Sequence, residues 1–79
     1  MKNYVVIVSD NNGHICNLYL EKDIWKAAEY AVQECVNNSQ LTKYEPIEIV
    51  EKLNMHESYS ENKMEINSGS EFFITIWQK

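Results

Sequence analysis

Four side chains in this sequence belong to the types that hold metal ions or act as nucleophiles: His14, Cys16, Cys35 and His56. His14 and Cys16 lie two apart, a spacing that puts both on one face of a strand. Cys35 falls on the apolar side of the helix expected to pack on that face. Together with His56 they sketch a two-Cys, two-His site of the kind that binds zinc. The spacing matches no familiar zinc module, and the chain has no C-x-x-C. The same residues could serve as a Cys–His nucleophile pair, which needs an exposed thiol of lowered pKa beside an oriented imidazole. Both cysteines sit in apolar patterns, so two buried thiols and two surface histidines account for them more simply. Neither a metal nor another cofactor is expected, and the chain reads as non-enzymatic.

Carboxylates are the second chemical resource. Glu45, Glu48, Glu51, Glu57, Glu61, Glu65 and Glu71 run through the C-terminal half, and the first three would share one side of a helix. One reading is imitation of a phosphate backbone; the plainer one is a solvated face that keeps a small domain soluble. Net charge is −5, with twelve acidic residues against seven Lys and no Arg. Without Arg and without a basic stripe, direct nucleic-acid binding is not expected. A basic partner, or a protein that itself binds nucleic acid, is electrostatically easier. Gly13 and Gly69 are lone turn glycines rather than a phosphate loop, and no H-E-x-x-H, EF-hand loop or Ser/His/Asp context appears.

The elements that must position these groups follow from periodicity. Asn3 to Ser9 reads as a strand, Asp10-Asn11-Asn12-Gly13 as a hairpin turn, and His14 to Leu20 as the returning strand. A helix follows over about Lys22 to Val36. Its apolar half is Ile24, Trp25, Ala27, Ala28, Ala31, Val32, Cys35 and Val36; Lys26, Glu29, Tyr30, Gln33 and Glu34 form the other half. Thr42-Lys43-Tyr44-Glu45 fits a capping box before Pro46, and Ile47, Val50 and Leu53 recur at helical spacing. A short second helix over Glu45 to Asn54 is expected, with a strand through Ile47–Val50 as the rival. A third strand runs from about Glu61 to Asn67, and Ser68-Gly69-Ser70 turns the chain into the last, Glu71 to Gln78. A three-residue turn places Met64 and Ile66 beside Phe72, Ile74 and Ile76, and sends Glu61, Lys63 and Glu65 to the face of Phe73, Thr75 and Trp77.

The expected fold is α+β: one domain over residues 1–79, two layers, ββα(α)ββ. A four-stranded, mostly antiparallel sheet in the order 2-1-4-3 carries one or two helices on one face. Strands one and four are apolar on both faces, which suits the sheet centre. One hairpin face is Val5, Ile7, Ser9, Cys16, Leu18 and Leu20; the other is Tyr4, Val6, Val8, Ile15, Asn17 and Tyr19. The first is the more apolar and is expected to pack under the helix. The open face would then carry Tyr4, Val6, Val8, Tyr19, Phe73 and Trp77, fringed by Glu61, Lys63 and Glu65. Aromatic residues without cover are interface residues by habit. That face, or an acidic edge including Glu48 and Glu51, is the expected surface for a protein partner or for a second copy in a homodimer.

No apolar run approaches the ~18 residues of a membrane span, and the short first strand is no signal peptide. Two cysteines are too few for a disulfide scaffold, so a cytoplasmic protein is expected. In size and acidity the chain loosely resembles small phage-encoded inhibitors of host defence, the anti-CRISPR proteins, a likeness of size and charge and not of motif. It implies a nuclease complex as target and steric blocking as mechanism. The hairpin-then-helix opening also loosely resembles small antitoxins of the HicB type, from which this chain departs by lacking their longer sheet and DNA-binding appendage.

Overall fold

The computed structural model describes residues 3–38, 41–55, 63–68 and 71–79. In chain order they form β1 (Tyr4–Asp10), β2 (Ile15–Glu21), α1 (Ile24–Asn37), β3 (Leu41–Thr42), α2 (Pro46–Met55), β4 (Lys63–Glu65), β5 (Asn67–Ser68) and β6 (Phe72–Gln78). The fold is α+β. Four antiparallel strands in the order β2-β1-β6-β4 make the main sheet, and β3 and β5 pair in a separate ribbon. These two short strands shift the numbering. The four strands expected from the sequence lie in the expected spatial order, with the doubly apolar β1 and β6 at the centre.

Local chemistry sets the element ends. Asp10 Oδ1 accepts from the backbone N–H of Asn12 and His14, both at 2.9 Å, and holds the hairpin turn together with Gly13 at φ 85°. Those bonds hold the Asp10 carboxyl below its ordinary pKa, the His14 amide contributing most. Asp23 N-caps α1, accepting from Trp25 N (2.8 Å) and Lys26 N (3.3 Å). The second helix is a helix and not a strand. Its cap lies one turn later than expected and is half of a capping box: Glu45 N–H donates to Glu48 Oε1 (3.2 Å), with Pro46 in the first turn. Thr42 instead pairs with Asn67 in the β3–β5 ribbon.

The last hairpin keeps the anticipated sharing of faces but not the register of a three-residue turn, which would set Met64 opposite Ile74: it is shifted by two residues, with Lys63 opposite Trp77, Met64 opposite Ile76 and Glu65 opposite Thr75. Beyond Ile66 the chain leaves β6 to join β3. Asn67, fully buried, fills the gap by taking Ile74 N–H on Oδ1 (2.9 Å) and donating Nδ2 to Phe72 O (2.6 Å). At the other end buried Gln78 donates Nε2 to Leu53 O (2.9 Å), satisfying a carbonyl in the last turn of α2.

The core overturns the expected face of the hairpin. Register pairs Val6 with Ile76 and Val8 with Ile74. Tyr4, Val6 and Val8 are therefore buried with Ile74, Ile76, Met64 and Ile66 under Ala27, Ala28, Ala31 and Cys35 of α1 and Ile49, Val50 and Leu53 of α2. The compact valines suit close approach by an alanine-faced helix. Val5, Ile7, Leu18 and Leu20, the more apolar set, point away from the helices.

Within α1 two expected core residues, Trp25 and Val36, are exposed, and expected outer Glu34 is buried. At the β2 edge Tyr19 and Asn17 project on the helix side and meet α1. Tyr19 stacks on Tyr30 with centroids 4.8 Å apart, and its hydroxyl donates to Glu34 Oε1 at 2.5 Å. Asn17 Nδ2 (3.2 Å) and Asn38 Nδ2 (3.4 Å) also donate to the Glu34 carboxylate. A carboxylate so surrounded locks helix to sheet.

Candidate functional site

The sheet face turned from the helices presents a continuous run of apolar side chains. Three cross-strand rows build it. Leu20, Val5, Trp77 and Lys63 form the first, Leu18, Ile7, Thr75 and Glu65 the second, and Ile15, Ser9 and Phe73 the third. Leu20 is 74% exposed, Ile15 60%, Leu18 45% and Phe73 38%, with Val5, Ile7 and Trp77 half-buried between them. Lys63 Nζ lies 5.2 Å from the Trp77 ring centroid, a cation over the outer flank of the indole.

The hairpin turn explains why Ile15 belongs here. A three-residue loop, residues 11–13, sets Ser9 opposite Ile15, and a bulge then restores the pairing of Val8 with Asn17. Cys16 is the extra residue. Without the bulge Ile15 would share the face of Val6 and Val8, as the sequence pattern predicts. Two depressions open on this face. One, about 270 Å³, lies between Val5, Ile7, Trp77 and Lys79; the other, about 520 Å³, between Asn3, Val5, Leu20, Glu21, Lys22 and Lys79.

Of the residues expected to contact a partner, Phe73, Trp77 and Glu65 lie on the open face. Tyr4, Val6 and Val8 do not: they are core, because the β1–β6 register turns them toward the helices. Tyr19 packs on α1, for the same reason. Glu48 and Glu51 are exposed on α2, in the opposite layer. Glu61 lies outside the described residues. The members missed were Val5, Ile7, Ile15, Leu18 and Leu20. The common parity of all but Ile15 was readable, but not the side on which the helices sit.

The four residues first considered for metal or nucleophile chemistry are dispersed. Cys16 is exposed on β2, Cys35 is buried on the core side of α1, and His14 sits in the turn with Nδ1 3.5 Å from Asp10 Oδ2. His56 lies outside the described residues. Among those residues no group of three or more His, Cys, Asp or Glu is arranged to hold a metal ion. Burial pushes the Cys35 thiol up from 9.0 to about 11, and the Glu34 carboxylate adds to the shift. A thiol protonated at neutral pH is a poor nucleophile. In the folded protein a thiol reagent at about pH 8 should therefore label Cys16 and spare Cys35 until the chain unfolds. Equal labelling of both by mass spectrometry would contradict this packing.

The same burial gives an alkaline limit. Cys35 holds its proton more tightly folded than unfolded. So does Tyr19, whose pKa is raised by its hydroxyl bond to Glu34, then by desolvation. A raised folded pKa means stability is complete below the unfolded pKa and lost as pH rises through the folded one. Stability should decline from about pH 9 toward 11 through Cys35, with Tyr19 adding to the loss above about pH 10. Cys35→Ala should remove the first part of that decline in urea melts.

No family model, curated protein or solved structure matches this chain. No helix among the described residues is long and apolar enough to cross a membrane.

Proposed function

We propose that this chain is a non-enzymatic protein that works by protein–protein contact, and that its contact surface is the open face of the sheet. The observation that carries this reading is the set Ile15, Leu18, Leu20 and Phe73, exposed around half-buried Val5, Ile7 and Trp77. Scattered apolar residues are ordinary on a surface; a contiguous aromatic and aliphatic sheet face rimmed by charge is the anatomy of an interface. The charged rim of Lys63 and Glu65 supports it.

A second contact surface is favoured by Glu45, Glu48 and Glu51, exposed on or beside α2 in the opposite layer. Their charge suits a basic partner, such as the nucleic-acid cleft of a nuclease complex, which the chain would block by occupying it. The two surfaces separate experimentally. L18E/L20K changes the sheet face without changing net charge, and Glu48→Lys with Glu51→Lys changes the helix face. All four positions are exposed, and loss of the Glu48 cap on Glu45 N–H costs only about 1 kcal/mol, so both variants should stay folded by circular dichroism. Contact through the sheet face should weaken at least about tenfold in L18E/L20K. If L18E/L20K keeps every protein contact of the unaltered chain, the sheet face is not the functional surface.

A further inference from the structure

We propose that the outer edge of β2 takes up an extended segment of a partner protein as an added strand of the main sheet, with a carboxylate of that segment beside Lys22 and Lys26. The proposal rests on reading the chain as a protein that works by contact, and it goes further by assigning the contact to main-chain atoms. The carrying observation is a short row of backbone groups on β2 that nothing in the fold satisfies.

Hydrogen-bond parity locates that row. Asn3 and Lys79 exchange both backbone hydrogen bonds, at 3.0 and 2.8 Å. In an antiparallel pair such closed pairs alternate with open ones. Val5–Trp77 and Ile7–Thr75 are therefore closed as well, and Tyr4 and Val6 turn their backbone groups to Glu21 and Tyr19 of β2. Leu18 and Leu20, opposite Ile7 and Val5, point their N–H and C=O groups outward. Two contacts agree with this. Leu18 N–H is taken by Asn17 Oδ1 and Lys22 N–H by Glu21 Oε1, each at 3.1 Å and each from the preceding side chain. Between them, Leu20 N–H and the carbonyls of Leu18 and Leu20 have no hydrogen-bond partner among the described residues.

The two edges of the sheet differ. β4 is three residues long, and its outward residues Lys63 and Glu65 are charged. Just beyond it, Ile66 O accepts from Lys43 N–H at 2.9 Å. Short length, charge and cover are the usual guards of an edge. β2 is seven residues long, without Lys or Pro, and has a bulge at Cys16 as its guard. A free row of main-chain donors and acceptors at strand spacing is matched by another main chain. Leu18 and Leu20 offer that chain apolar neighbours on the open-face side. On the helix side Tyr30, stacked on Tyr19, borders the same edge.

Charge selects the occupant. Lys22 directly follows β2, and Lys26 shares with Tyr30 the flank of α1 beside that strand. Neither lysine has an ion pair among the described residues. Two β2 edges paired about a two-fold axis at Tyr19 or at Leu20 would set Lys22 opposite Cys16 or Leu18 of the other copy. Both cations would stay unmatched. A foreign strand with a carboxylate at that end matches them.

The probe is a blocked heptapeptide with valine at alternate positions, threonine between them and glutamate at both ends. Binding is measured by titration calorimetry on the unaltered chain, L20A and L20P, and amide hydrogen exchange by NMR on the unaltered chain. L20A and L20P both lose the leucine side chain. Only L20P loses the outward N–H, which an edge strand can spare without unfolding. The unaltered chain should bind with Kd on the order of 100 μM. L20A should stay within about threefold, and L20P, still folded by circular dichroism, should weaken at least about tenfold. Glutamine in place of the glutamates should weaken binding about threefold. In the free chain the Leu20 amide should exchange quickly while those of Tyr19 and Glu21 are protected, and the peptide should slow Leu20 exchange at least about fivefold. If L20P unfolds, the exchange measurement decides alone. No binding at about 1 mM peptide overturns the proposal. Equal binding by L20A and L20P overturns it, as does binding that leaves Leu20 exchange unchanged or is indifferent to the glutamates. Leu20 protection that rises with protein concentration alone overturns it in favour of a second copy. Foreign contacts that L18E/L20K abolishes and L20P leaves intact keep the sheet-face reading and strike the edge. Contacts that neither change affects strike both.

Discussion

Val6→Asp should leave the chain unfolded at room temperature, while Leu20→Asp should leave it folded. Both residues are apolar, lie in neighbouring strands and belong to segments that look alike in hydrophobicity. Val6 is fully buried among Ala27, Ala28, Ala31 and Ile76, whereas Leu20 is 74% exposed. A carboxylate at position 6 would have no cation and no donor within the core. An unpaired buried charge costs several kcal/mol, or shifts its pKa at similar expense. Losing the valine adds roughly 1–2 kcal/mol of apolar burial. A domain of this size has on the order of 4–12 kcal/mol in all, so the sum takes most or all of it. Leu20→Asp removes surface that is already wet and should cost less than about 1 kcal/mol. Thermal melts of the two variants decide the matter. A folded V6D beside an unfolded L20D would mean the hairpin packs on the helices by its other face.

Asn67→Ala should cost about 2–4 kcal/mol, lowering the urea midpoint with an unchanged m-value. Its two hydrogen bonds, from Ile74 N–H at 2.9 Å and to Phe72 O at 2.6 Å, stand where the chain parts from β6. A regular strand would satisfy those backbone groups by its own backbone. Here the side-chain amide substitutes for a missing residue of ladder. Alanine leaves a buried N–H and a buried carbonyl without partners, at ~1–3 kcal/mol each. Aspartate should be no better, since it keeps the acceptor for Ile74 but sets a carboxylate oxygen against the Phe72 carbonyl. A cost below about 0.5 kcal/mol for Asn67→Ala would show that this end of the sheet satisfies its backbone otherwise.

Asn67 also illustrates what was legible in advance. Periodicity marked it as the end of a strand, and nothing local marks it as the bridge between two sheets. That role depends on the β3–β5 pairing, in which Asn67 meets Thr42, 25 residues earlier in the chain. The capping of α2 was legible in kind and misplaced by one turn. Thr42 with Glu45 fits the full pattern, Glu45 with Glu48 supplies only the carboxylate that reaches back, and the ribbon that takes Thr42 excludes the former.

The candidate face divides the same way. Trp77, Phe73 and Glu65 were found because alternation on the two last strands fixes which residues share a face, and the two-residue shift of the register from that of a three-residue turn leaves those faces unchanged. Val5, Ile7, Leu18 and Leu20 were correctly grouped and then assigned to the wrong side. The grouping was sound because alternation is a local property of a strand. The side was not, because β1 and β6 are joined by the whole length of the chain, and no turn fixes their parity. Hydrophobicity ranked the leucine-bearing face as the better core. Packing decided otherwise. Val6 and Val8 fit beneath three alanines, and the polar tips of Tyr19 and Asn17 reach Glu34 at the helix margin.

The sequence by itself determined the α+β class, the first helix, the four principal strands and their spatial order, and left residues 45–54 open between helix and strand. Each of these follows from periods of 2 and 3.6, from turn residues and from the two doubly apolar ends. Tertiary structure alone decided which side of the first hairpin meets the helices, and hence which apolar side chains are left at the surface. The physical reason is that a slip of one residue between distant strands exchanges the two faces of a sheet and leaves every local pattern intact. The choice between them belongs to shape and to hydrogen-bond satisfaction in the assembled core.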